Sequence, residues 1–140
     1  MTERETKKPW TRHLVTAARI LLGLTFFVFG LEGFLHFMPK PTAPPPEGAM
    51  AFGMAMMKTG YLFQLVKGTE VLGGALLLIN RFVPLALLIL APVIVNIVAF
   101  NAFLSPSTLP IAFVVLALEL YLAWAYREAY RPLLVASGRP

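Results

Sequence analysis

Eight polar residues stand inside otherwise apolar runs, and they are where this chain could do chemistry: Glu32, His36, Gln64, Lys67, Glu70, Asn96, Asn101 and Glu119. A charged side chain within a hydrocarbon layer costs about 2.5–3.5 kcal/mol on insertion scales, so those retained usually turn inward, pair, and mark ligand or proton pathways. Thr25, Glu32 and His36 are separated by seven and four residues, which puts them on one helical face beside Gly33. Gln64, Lys67, Glu70 and Gly74, at steps of three and four, form a matching stripe on a second helix. The rise of about 1.5 Å per residue sets Glu32, Lys67 and Asn96 at similar depths, Glu70 and Glu119 deeper, and His36, Gln64 and Asn101 nearer one surface. The set is expected to describe a single funnel.

Two roles are open at its centre. Lys67 and Glu70, three residues apart, suit either an ion pair that fixes helix rotation or a site for an anion or a proton. Asn96 suits hydrogen bonding between helices as well as ligand contact, and His36, at the end of its run, suits a cap. Three carboxylates, Glu32, Glu70 and Glu119, face one strong base, Lys67, and Glu119 has no obvious partner at its level. Arg19, on another face of the first apolar run, is expected to reach back to the lipid headgroups.

Other chemistries are excluded or disfavoured by residue type. The chain has no cysteine, hence no thiolate metal site, Fe–S cluster or dithiol relay. Its two histidines, His13 and His36, lie about 35 Å apart along a helix, too far to ligate one haem within a monomer. No metal site and no intrinsic cofactor is expected, and Met50, Met54, Met56 and Met57, which could suggest soft-metal binding, are spaced irregularly and better suit apolar interfacial packing. The net charge of +5 comes without a basic stripe interleaved with aromatics, so nucleic acid is not an expected partner.

The elements that must position these groups are membrane helices. Of 140 residues, 58% are hydrophobic and only 14% charged, against roughly 45–50% and 25% in soluble domains. Four apolar segments, 14–37, 61–79, 82–100 and 111–126, are each about long enough to cross a hydrocarbon core of about 30 Å. They predict an all-α, integral membrane four-helix bundle. An outer loop, 38–60, carries Pro39, Pro41, Pro44, Pro45 and Pro46 and then a small-residue and methionine stretch that reads as a short interfacial helix. Flanking these are an N-terminal segment, 1–13, and a tail, 127–140. Arg4, Lys7, Lys8, Arg12, Arg81, Arg127, Arg131 and Arg139 fall on one side and Lys40 and Lys58 on the other, so the positive-inside bias places both termini in the cytoplasm of a cell (inner) membrane protein. Trp10, Trp124, Tyr126 and Tyr130 then line the inner interface, and Tyr61 the outer one. Gly23, Gly30 and Gly33 could serve packing within the bundle or between copies.

Three stretches carry a family resemblance: Ala18-Arg19-Ile20-Leu21-Leu22-Gly23; Lys67-Gly68-Thr69-Glu70-Val71-Leu72-Gly73-Gly74; and Arg81-Phe82-Val83-Pro84-Leu85-Ala86 leading to Pro92-Val93-Ile94-Val95-Asn96. Together they resemble the DoxX-like family of small four-helix membrane proteins. The resemblance implies the bundle and, through some relatives, a link to thiosulfate:quinone oxidoreductase and other membrane redox assemblies; a eukaryotic branch resembles an assembly chaperone. Three functions follow from residues and resemblance together. The first is a non-catalytic accessory subunit or assembly factor, not an enzyme on its own, partnering another membrane or redox protein or a second copy of itself. The second is a subunit of a quinone-linked oxidoreductase, with quinone or a small anion near Lys67. The third is a small proton-coupled transporter or lipid-binding protein.

Overall fold

The computed structural model describes residues 9–40, 42–136 and 138. Pro41 and four of the basic residues used for the charge bias, Arg4, Lys7, Lys8 and Arg139, lie outside the described residues, as does most of segment 1–13. The first helix, α1, is Pro9–Leu35. Its described length begins five residues before the expected span. It stops where His36 turns left-handed at φ 50 and its N–H bonds to the Glu32 carbonyl at 2.9 Å.

After the proline run comes α2, Glu47–Lys58, with an acid in its first turn and a base in its last, both matched to the helix dipole. Thr59 joins it to the next helix. Its hydroxyl donates to the Met56 carbonyl at 2.6 Å and accepts the Leu62 N–H at 3.0 Å. Helix α3 is Leu62–Ile79 and closes on Asn80, a residue type that tolerates its left-handed φ of 57. The Arg81 N–H returns to the Leu76 carbonyl at 3.1 Å, a Schellman-type ending. Helix α4 is Val83–Leu104, with Pro84 in its first turn and Pro92 inside. Pro92 has no N–H, so the Leu88 carbonyl loses its usual donor. A 3₁₀ turn, Pro106–Thr108, leads to α5, Leu109–Ala125, followed by the short α6, Arg127–Tyr130, and a second 3₁₀ turn, Arg131–Leu134. No strand occurs among the described residues.

Four stretches, Trp10–Leu35, Leu62–Ile79, Val83–Leu104 and Pro106–Ala125, are long and apolar enough to cross a membrane. No more than 33% of any such span is buried inside the protein, so most of each apolar surface faces outward, the arrangement a multi-pass membrane protein needs. Leu21, Leu24, Leu65, Leu72, Val95 and Phe113 are among the large side chains on that outer surface.

The most extensive helix contact is α1 with α3; α3 also meets α4, α4 meets α5, and α5 returns to α1, while α2 touches α3 and α4. Glycines make the first contact close. A Cβ on Gly74 would stand 2.5 Å from the Phe27 amide nitrogen and 2.7 Å from the Gly23 carbonyl oxygen. Gly23 and Gly30 face Gly74, Leu77 and Val71 in the same seam, and Gly33 lies under the stem of Lys67. All three glycines of α1 therefore pack within the chain. The core of Leu22, Phe26, Leu77, Leu87, Leu90, Ile94 and Leu122 fills the half of the molecule nearer the α3–α4 link.

Gly74→Ala is expected to destabilise the protein by about 1–3 kcal/mol, because backbone, not a movable side chain, occupies the added methyl's place. Gly68→Ala, with open space around its Cβ, should leave stability unchanged or raise it. Unfolding of both variants in detergent, followed by circular dichroism, checks the pair.

Candidate functional site

The half of the molecule carrying α2 is hollow. A cavity of about 940 Å³ is walled by all five longer helices, α1 through α5. Its walls are mainly apolar and aromatic, including Phe26, Phe29, Phe52, Phe63 and Phe100, and α2 forms its end wall through Ala49, Phe52, Gly53 and Met56. The Phe52 and Phe100 rings meet at 5.3 Å between centroids, which ties α2 to α4 across the cavity.

Four of the eight polar candidates border this space: Lys67, Glu70, Asn96 and Asn101. Lys67 reaches it because the glycine at 33 leaves room for its stem to cross α1; a Cβ there would stand 2.5 Å from the lysine Cγ. The Lys67 Nζ is 3.3 Å from Glu70 Oε2 and 5.9 Å from the centroid of the Phe63 ring, so it meets a carboxylate and a π face. Glu70 is buried, while the Lys67 side chain keeps 25% exposure. Two of the three ammonium protons are thus left for other acceptors beyond the one Glu70 bond. Asn96 is exposed at the cavity wall rather than buried between helices. Asn101 is buried and largely committed: its Nδ2 donates to the Ile97 carbonyl at 2.7 Å and its Oδ1 accepts from the Thr108 hydroxyl. That network carries α4 one turn past its expected end at residue 100. Thr25, also on the wall, spends its hydroxyl on the Leu21 carbonyl at 2.8 Å.

The other candidates do not join one funnel. Glu32 Oε2 accepts the Met38 N–H at 2.7 Å, holding the chain as it leaves α1. His36 is exposed in the turn that ends α1, and Gln64 is exposed on the outer surface of α3. Neither lines the cavity, nor does Glu32. Glu119 is buried, but it lines a separate groove of about 210 Å³ with Leu87, Leu88, Ala91, Leu120, Ala123 and Tyr130. The expected single funnel is corrected on this point: α5 turns its carboxyl toward the first half of α4, away from Lys67.

Arg19 also differs from expectation. It is buried, not extended toward headgroups, and its guanidinium donates to the Leu77 carbonyl and, at 3.5 Å, to that of Leu78. These are among the last carbonyls of α3, which lack the usual i+4 donor and carry the negative end of the helix dipole, though Leu77 also accepts the Asn80 N–H at 3.3 Å. The signal for this role was the position of Arg19 about one turn before Gly23, where an antiparallel α3 must end. Near the same end of the molecule, the Tyr130 hydroxyl donates to the Pro84 carbonyl at 2.8 Å and Arg127 stacks 4.5 Å over the Trp124 ring. Burial first, then the neighbouring Glu119 and Tyr126, push the Tyr130 phenol from 10.0 up to about 12. Among the described residues no group of three or more His, Asp or Glu is placed to hold a metal ion.

Comparison with protein-family models, with curated proteins and with solved structures finds no match.

Two measurements probe this geometry. Lys67→Met should cost on the order of 2–4 kcal/mol, since it strands buried Glu70, whereas Lys67→Met with Glu70→Leu should come close to wild-type stability. The double variant would be as unstable as the single if the pair did not couple. Because the folded state holds the Tyr130 proton more tightly than the unfolded one, its contribution is complete below pH about 10 and lost as pH rises through about 12. An ultraviolet titration should show a tyrosine ionising near 12 that is missing from Tyr130→Phe.

Proposed function

We propose that this chain is a DoxX-like four-helix bundle of the cell (inner) membrane that serves as an accessory subunit of a quinone-linked redox assembly, holding a quinone in the cavity beside Lys67. In this reading the termini and the α3–α4 link face the cytoplasm, and α2 lies at the outer interface. Arg12, Arg81, Arg127 and Arg131 against Lys40 and Lys58 support that orientation among the described residues.

The observation that carries the function is the cavity. A polar pair kept only for architecture would be closely packed, as protein interiors are. Lys67 and Glu70 instead border a cavity of about 940 Å³, within the range of about 300–1,000 Å³ typical of small-molecule sites. The lining suits a flat apolar ring carrying carbonyl oxygens: phenylalanines on several sides, an ammonium with protons to spare, and the Asn96 amide. Phe29, Asn96 and Ile111 are exposed parts of the wall, which favours a lipophilic ligand entering sideways from the bilayer. Electrons would pass through a partner, since the chain has neither cysteine nor a haem-spanning histidine pair. Its own residues would hold the ring and, through Lys67 and Glu70, supply or take up a proton at a ring oxygen.

The lateral opening also favours the lipid-binding reading, and one experiment separates the two. Native mass spectrometry after gentle extraction should show one quinone per chain, with occupancy reduced at least tenfold in Lys67→Met and in Val93→Trp, which fills the cavity. A wild-type protein carrying phospholipid in its place, or retaining quinone equally in both variants, would refute the quinone site.

A further inference from the structure

The residues that follow α5 are tied to the bundle. Helix α5 stops at Ala125, where Tyr126 leaves helical geometry, and two contacts fix what comes next. Arg127 donates to the Trp124 carbonyl at 2.9 Å and lies 4.5 Å over the Trp124 ring. The Tyr130 hydroxyl reaches the Pro84 carbonyl, 46 residues away in sequence, which sets residues 127–134 against the first turn of α4, beside the α3–α4 link. Past these ties the segment is bare. Leu133, Leu134 and Val135 are 65%, 80% and 62% exposed, and Arg127 and Arg131 are exposed with them. In the link, Arg81 and Phe82 are exposed as well. Leucines this open are ill suited to water, and arginines to hydrocarbon, so the two together suit the boundary between them. That boundary is where the segment starts, at the end of the membrane-crossing stretch Pro106–Ala125. Trp124, exposed at that end, belongs to a residue type that prefers the headgroup level, and Arg127 covers its ring.

We propose that residues 127–135 and the α3–α4 link form an interfacial docking surface for acidic phospholipids, with Leu133, Leu134 and Phe82 at the acyl boundary and Arg81, Arg127 and Arg131 on lipid phosphates. The charges are complementary to such a surface: three arginines stand against one carboxylate, Glu128, and its 3.3 Å pair with Arg131 is too exposed to hold that arginine strongly. Every cation of the surface is arginine, whose planar fork meets a phosphate with two parallel bonds. A phosphatidylcholine surface offers the same phosphate but cancels it with its own ammonium, whereas a net acidic surface attracts each nearby arginine by about fivefold. The proposal rests on the membrane-crossing helices and not on the quinone cavity, which lies in the opposite half of the molecule.

The chain has no cysteine, so a nitroxide attached through Val135→Cys reports on this segment alone. The test compares its collisions with oxygen, which concentrates in the bilayer, and with a water-soluble nickel chelate. It uses the full chain in nanodiscs of phosphatidylcholine with and without phosphatidylglycerol. Phosphatidylglycerol is expected to shield the label from nickel and raise its contact with oxygen, and added salt to reverse both. The ratio of shielded to open label should fall about fivefold in Arg127→Gln, and about fivefold again when Arg81→Gln is added, at unchanged helicity. Arg81→Gln alone should give the first of these falls while leaving every contact of the segment itself intact. A label equally open to nickel in both discs, equally shielded in both, or unmoved by the arginine changes overturns the surface. Shielding that appears only when other membrane proteins are reconstituted alongside also overturns it, and assigns the patch to a protein partner.

Discussion

The near-touching of two backbones, α1 against α3, is the constraint on which the rest of the molecule depends. Lipid tails are as apolar as leucine, so membrane helices gain little from hiding apolar surface from each other and rely on close van der Waals fit and polar contacts. Here the fit is made by Gly23, Gly30 and Gly33 on one helix and Gly74 on the other. Once that seam is closed, the rotation of α3 is fixed. Lys67 must cross above Gly33, Glu70 must follow it inward, and Leu77 must meet the core. Arg19 closes the far end of the same seam by taking the last carbonyls of α3.

The seam also explains why one half of the protein is solid and the other hollow. Toward the α3–α4 link, leucines and isoleucine from all four spanning helices fill the centre. Toward α2, phenylalanines line the walls and only Phe52 and Phe100 pair across the space, and the polar pair borders what remains. Pro92 stands at the change between the two, lining the cavity just before Ile94 of the core. Glycine at 33 is needed for the same reason as the cavity: a lysine stem has to pass between helices to arrive there.

Much of this was legible in residue order. Four long apolar runs punctuated by Pro39, Asn80-Arg81 and Ser105-Pro106 mark the spans, because apolar runs of about 20 residues match the length of a spanning helix and not that of a barrel strand. The three- and four-residue steps of Lys67, Glu70 and Gly74 place them on one face, and the glycines of α1 announce a close contact without naming its partner. Depth along a helix is likewise simple arithmetic. What depth does not supply is azimuth: Glu119 and Asn96 are both well inside their helices, yet one turns toward α4 and the other toward the cavity. Nor does spacing reveal backbone acceptors. Glu32 answers the Met38 amide and Arg19 the ends of α3, partners that every residue possesses and no motif advertises.

The burial of Arg19 has a consequence for how the chain comes to be in the membrane at all. The arginine and the carbonyl that receives it are 58 residues apart in sequence, with α2 and the proline run between them. In α1 alone the guanidinium would lack this protein acceptor and would have to reach water or lipid headgroups. Only with α3 in place are the terminal carbonyls of that helix there to receive it. The seating of the first helix is thereby tied to the end of the third.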